Sequence, residues 1–479
     1  MKIILKYIDR SIIFFVLFVV GFSPLPLGSN RPEIWSLFFL LIGILGFMRL
    51  AIINSRKEPF FPGQLFLLPL CCAVTTVGFV FIQSLDLTPY FHRLLESFWR
   101  TANISNGPGS RLAISINPEK TLAALLKYIS YLVLFWLAFT MSRSKRQTWR
   151  QIELICWFGF AYSLYGLIEY FSGNQHVLWF EKEFYRGDLT SVFINRNSYA
   201  TYAGLILICS VTVFLRLSRR LEGKSFSHLV SMPNAYLWRL YIISVAIIGN
   251  ATAIFLTHSR GGFIATLLGL FVLFAFCLKP SGAKSKLYIS AMTLLAIIFV
   301  FVTFLSSDLT IGRLLNTGLE TSMRDEVYLA AIHGFTNSPA LGFGYGTFEE
   351  GFRSYYTDSL GRLNWDKAHN VYIETIFELG FIFGTIFFIP YVWLLIHFIK
   401  IVKNRKKNLL LASLGLAALT LSGIHSMVDF SHQIPAVSIL FCWLLGIICG
   451  TLFGFQSDSK TLSRLHHPSG RGRRTRRKR

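Results

Sequence analysis

Charge is scarce in this chain, and negative charge scarcer still. Only 15% of its 479 residues are charged, with 24 acidic side chains against 47 basic ones. A soluble domain carries about 25% charged residues. With 53% hydrophobic residues and a mean hydropathy of +0.52, a water-soluble core is excluded. Cysteine is missing wherever an oxidising compartment could pair it. Cys71, Cys72, Cys156, Cys209, Cys277, Cys442 and Cys449 all fall in apolar runs, so neither a disulfide nor a zinc site is expected. Also missing is a small-x-small cleavage site after the first apolar run, where Pro24, Leu25, Pro26 and Leu27 stand instead. That run, behind Lys2, Lys6 and Arg10, is read as an uncleaved first helix.

What is abundant is apolar sequence in runs long enough to cross a hydrocarbon core of about 30 Å as helix. The runs predict an all-α polytopic membrane protein of about twelve transmembrane helices, at 11–27, 35–53, 64–84, 121–141, 152–172, 198–216, 238–257, 261–279, 287–306, 371–399, 408–427 and 434–455. The chain thus divides into nine helices over 1–306, a large loop over 307–370, three helices over 371–455 and a basic tail over 456–479.

Basic residues cluster in every second connection: Arg143 to Arg150, Arg216 to Lys224, Lys279 to Lys286 and Lys400 to Lys407. By the positive-inside rule these connections and both termini are cytoplasmic. The net charge of +23 is then mostly orientation signal. The tail SGRGRRTRRKR from Ser469 suits anionic lipid headgroups, and no nucleic acid is expected. The opposite face holds the long loop 307–370 and smaller loops near 85–120 and 173–197, and any chemistry is expected there.

Several residues on that face stand out. Arg260 sits in the tight hairpin His258-Ser259-Arg260-Gly261-Gly262. An arginine at the bilayer boundary either snorkels to headgroups or meets an anion. SMRDEVYLAAIHGF from Ser322 has helical spacing and carries Arg324 in its first turn. Gly342, Gly344 and Gly346 form a glycine run with no preceding strand or P-loop lysine, so a flexible loop is the plainer reading than a phosphate cradle. Ala368, His369 and Asn370 close the loop, followed by Glu374 and Glu378 at helical spacing. A histidine there can act as a base near neutral pH, or simply sit at the interface. His425 and Asp429 are four apart and can pair on one helix face, or cap it. Arg196, Arg260, Arg313, Arg324, Arg353 and Arg362 all map to the side that the positive-inside bias disfavours. Something anionic should offset them there, and a diphosphate fits, because Arg engages phosphate oxygens bidentately.

The motifs SINPEKT from Ser115, FINRNSYATY from Phe193, THSRGGF from Thr257, SMRDEVY, SPALGFGYGTF, KAHNVYIETIFELG and HSMVDF from His425 together resemble the O-antigen ligase and O-antigen polymerase superfamily. They cover most of the chain beyond residue 115. The resemblance implies a GT-C-like membrane glycosyltransferase acting at the periplasmic face of the bacterial inner membrane on a glycan linked to undecaprenyl diphosphate. It implies no metal and no cofactor. By matching motifs, Arg260 and Arg324 would bind the diphosphate and His369 would be catalytic, with Arg196, Asn370, Glu378, His425 and Asp429 as supporting candidates. Asp366 or Glu374 could orient His369, and Tyr355, Trp365 and Tyr372 could stack on sugar rings. The acceptor stays open: lipid A core for a ligase, a lipid-linked repeat unit for a polymerase, a protein hydroxyl for an O-oligosaccharyltransferase. A transporter of inorganic-carbon type and a noncatalytic scaffold are the readings from other classes. Few ionisable residues near the span centres speak against the former.

Overall fold

A computed structural model describes residues 2–60, 63–101, 113–142, 144–219, 234–277, 311–338, 340–357, 360, 365–404 and 408–454. Its helices are α1 (Lys2–Phe22), α2 (Pro32–Arg56), α3 (Leu67–Ser84), α4 (Thr88–Thr101), α5 (Pro118–Met141), α6 (Lys145–Phe171), α7 (Arg196–Ser218), α8 (Asn234–Leu256), α9 (Arg260–Cys277), α10 (Ile311–Asn337), α11 (Phe348–Phe352), α12 (Val371–Lys403), α13 (Leu409–His425) and α14 (Pro435–Phe453). Among the described residues the only strands are a two-residue pair, His176–Val177 with Phe180–Glu181. The chain is an all-α, multi-pass membrane protein. Nine described helices are long and apolar enough to cross a bilayer, and α1 and α13 overlap two further expected spans. The expected span 287–306 and the tail 456–479 lie outside the described residues.

Polar caps start the helices that face the site. Asn117 accepts from the Lys120 amide at 3.1 Å, Asn195 from Asn197 at 2.7 Å, and Asn370 from Tyr372 at 3.0 Å. Each side-chain oxygen satisfies an amide that has no partner within its helix. Helices α7 and α14 are buried along most of their length and form the bundle's centre, while most others turn one side to lipid. At the far end, buried Arg49 of α2 bonds Asp9 of α1 at 2.9 Å and the Thr140 carbonyl of α5 at 3.3 Å.

Two connections differ from expectation. The segment 85–120 contains the amphipathic helix α4, which turns Tyr90, Phe91 and Leu94 outward. The helix expected over 322–335 runs from Ile311 to Asn337.

Candidate functional site

Helix α10 and four connections meet at one end of the bundle: the turn before α12, the turn between α13 and α14, the loop before α7 and the hairpin between α8 and α9. The turn before α12 is built by its own helix. Asn370 spends its side-chain oxygen on the Tyr372 and Ile373 amides, and Glu374, one turn in, accepts from the Ala368 amide at 3.0 Å while its other oxygen lies 3.7 Å from Lys367 Nζ. His369, between them, is held at φ 54°, a left-handed conformation uncommon for residues other than glycine. Its carbonyl accepts from the Tyr328 hydroxyl of α10 at 3.3 Å. The imidazole stands edge-on to Trp365 and to Phe430, with centroids 6.0 and 4.9 Å away.

His369 Nδ1 is buried and has no hydrogen-bond partner among the described residues. Burial, then the positive charge of Arg324, push the His369 pKa down to about 4, with Asp429 pulling the other way. The ring is therefore neutral near pH 7 and has a lone pair with which to take a proton. Asp429 is fully buried. One of its oxygens accepts from Ser431 at 2.7 Å, and the other has no partner among the described residues. Burial raises the Asp429 pKa, opposed by the Ser431 hydrogen bond and by His369, Asn197 and Arg324. Arg324, half-buried on α10, is close enough for its charge to bear on His369, Asp429 and Tyr185.

The loop before α7 supplies an anion of its own. Asp188 lies 2.7 Å from Arg196 Nη1 and 2.7 Å from His258 Nδ1, and the Arg196 guanidinium sits 5.4 Å from the centre of the Tyr185 ring. Burial alone would raise the Asp188 pKa, but the His258 hydrogen bond and the Arg196 charge hold it below the usual range. Arg196 is thus offset from within the protein and does not require a diphosphate.

Arg260 opens α9 and is exposed. The glycines after it let α9 approach its neighbours. A Cβ on Gly261 would stand 3.2 Å from His425 Nε2, and one on Gly262 would stand 2.6 Å from the Ala200 methyl. His425 Nδ1 in turn lies 2.5 Å from the Thr201 hydroxyl of α7. The expected pairing of His425 with Asp429 does not form, because α13 ends at His425 and Asp429 turns to Ser431.

Glu378 serves a joint behind the site. It accepts from the Phe348 amide at 3.1 Å, while its carbonyl accepts from the Gly344 amide at 3.0 Å. Phe343 N donates to the Phe377 carbonyl and Tyr345 N to Gln83. The glycine run is therefore neither a flexible loop nor a phosphate cradle, since these amides are spent on α12 and α3. A Cβ on Gly342, at φ +65°, would meet the Glu378 carbonyl oxygen at 2.3 Å. SINPEKT closes the same joint: Ile116 N donates to the Phe343 carbonyl, and Lys120 Nζ lies 2.5 Å from Glu350.

Residues 244–389 match a family model described as O-antigen ligase. Over this stretch the chain is similar to the O-antigen ligase family, which supports its likeness to the O-antigen ligase and polymerase superfamily. No curated protein matches it. That likeness supports a glycan-transferring membrane enzyme working on lipid-linked glycans. The matched stretch holds Arg260, Arg324, His369, Asn370 and Glu378, whereas Arg196, His425 and Asp429 lie outside it. Tyr355 is buried against Phe343 and Phe377, so it is not free to stack on a sugar. Asp366 is exposed, and Glu374 bonds the backbone beside His369 rather than its ring. Asp188 and Tyr185 escaped the sequence reading, while His258 and Phe430 stood in it only as members of motifs, with no role. The one available signal was Asp188 itself, an acidic residue facing a surplus of arginines.

Proposed function

We propose that the chain transfers a glycan from undecaprenyl diphosphate to an acceptor hydroxyl, as an O-antigen ligase or a polymerase, at the periplasmic face of the bacterial inner membrane with both termini cytoplasmic. The observation that carries this reading is a neutral His369, its Nδ1 without a partner among the described residues, in one corner with Arg324 and Asp429. The acceptor oxygen forms its bond to the sugar C1 as the C1–O bond to diphosphate breaks. The electron pair leaves with the diphosphate, the acceptor proton passes to His369, and C1 is inverted. Negative charge grows on the leaving group during this step. Arg324 and Arg260, fixed at a low-dielectric boundary, then stabilise the transition state more than the ground state. His369 is unprotonated near neutrality, so its lone pair is available to take the acceptor proton.

The test is to delete the gene, complement it with wild type, Arg260→Ala, Arg324→Ala or His369→Ala, and size the surface glycans and the lipid-linked intermediates. Long polymer retained on the carrier above bare core lipid identifies a ligase. Single repeat units without long chains identify a polymerase. Unchanged glycans in the deletion strain would refute the transferase reading.

A further inference from the structure

A cavity of about 720 Å³ lies beneath the turn 431–433, between α2, α3, α5, α12 and α14. Its wall is almost wholly apolar, yet Tyr131 and His432 both line it, and Tyr131 Oη and His432 Nε2 are buried without hydrogen-bond partners among the described residues. Helices α2 and α3 each pack on α5 but hardly on one another. At that seam the lining residues Phe47 and Val74 are 75% and 62% exposed. The cavity therefore opens sideways into the hydrocarbon of the bilayer.

One end reaches the site. His432 is two residues from Phe430, whose ring abuts His369. Near the same end the Phe39 ring meets Tyr131, Trp35 meets Phe39, and Lys127 Nζ stands 4.6 Å over Trp35. Lys127 is half-buried, no acidic side chain pairs with it among the described residues, and Lys367 is within electrostatic range of it. An ammonium beside an indole marks headgroup level, and Lys127, unlike Lys367 with its neighbours Glu374, Glu378 and Asp366, has no carboxylate acting on it among the described residues, which leaves room for an added anion. The occupant then has an apolar chain and an anionic head. At roughly 30 Å³ per small group, the share of a water molecule in the liquid, the cavity holds on the order of twenty chain carbons. That suits acyl chains better than a whole undecaprenyl tail.

We propose that this cavity seats an acyl chain of a phosphorylated lipid acceptor, with Lys127 at its phosphate. The assignment rests on the transferase reading. Helices α7, α9 and α10, which carry Arg196, Arg260 and Arg324, contribute no residue to the cavity among the described residues. The diphosphate of the donor and the chain in the cavity therefore approach His369 from different elements, as a displacement with inversion requires of leaving group and acceptor.

The experiment uses the full chain in nanodiscs with three photoreactive probes: lipid A and phosphatidylglycerol, each with a diazirine in an acyl chain, and a diazirine-bearing undecaprenyl phosphate. Cross-linked peptides are mapped, and glycan transfer is assayed on the same preparations. Lipid A should label the peptides of Phe47 and Val74 in clear excess over phosphatidylglycerol, and Lys127→Gln should cut that labelling by about tenfold, the worth of one charge-assisted contact. Val74→Trp, at a lipid-facing position that tolerates bulk, should block it with no change in melting temperature. Equal labelling by lipid A and phosphatidylglycerol, labelling by the undecaprenyl probe instead, or no labelling in the cavity would each overturn the assignment. Absence of transfer by wild type would sink the transferase reading whatever the labelling, whereas transfer with labelling elsewhere would sink this assignment alone.

Discussion

The rings of His369 and Phe430 meet edge to face, 4.9 Å between centroids and 69° between planes. This contact fixes the turn that carries Asp429 against the turn that carries the candidate base. Two motifs far apart in sequence thus become one site, the aromatic pair acting beside the hydrogen bond from the Val371 amide to the Ser426 carbonyl at 2.9 Å.

The pH profile follows from His369. Burial, then the Arg324 charge, set its pKa at about 4, below the ordinary value of about 6.5. Its base form is therefore complete well above pH 4 and is lost as pH falls through 4. The acid limb of kcat/KM should lie near pH 4. Arg324→Gln removes a charge that opposes protonation, so the limb of its residual activity should move to higher pH. Asp429→Asn should move it the other way.

Asp188 and Arg196 should behave as one unit. Either substitution by Ala should lower activity, and the double variant should lose less than the sum, with a coupling of about 0.5–3 kcal/mol. Additive losses in a double-mutant cycle would mean that the 2.7 Å pair contributes nothing to the site.

The Glu378 joint should show in stability. Glu378→Ala leaves the Phe348 amide buried and unpaired, at a cost of about 1–3 kcal/mol, visible as a lower melting temperature in detergent. An unchanged melting temperature would remove the joint from the account.

Gly380 should tolerate no side chain. It breaks α12 at φ +71°, and a Cβ there would meet the Ala340 carbonyl oxygen at 2.4 Å. Left-handed strain of about 1–3 kcal/mol adds to that clash, so Gly380→Ala should reduce the folded yield judged by size-exclusion chromatography. Gly43, with nothing within 4 Å, should accept Ala without loss.

The bundle was legible because bilayer thickness imposes a length on every apolar run. The order of the motifs points to Arg324 and His369 as neighbours, and the structure brings them within electrostatic range. The contacts that assemble the site were not legible. Asp188 reaches Arg196 and His258, and Glu378 reaches Phe348, across sequence separations that leave no periodic trace. His425 and Asp429 misled because helical spacing was assumed past the point where α13 ends. The glycine run misled because its amides look free until Glu378 and Gln83 are seen to take them.

The most direct test of the central claim is glycan transfer by the purified protein from an undecaprenyl-diphosphate-linked donor to a lipid acceptor, comparing wild type with His369→Ala and His369→Gln at matched melting temperatures. The account predicts transfer by wild type and a loss of about 10²-fold or more in both variants, the usual worth of a positioned base. Undiminished transfer by folded His369→Ala would contradict it.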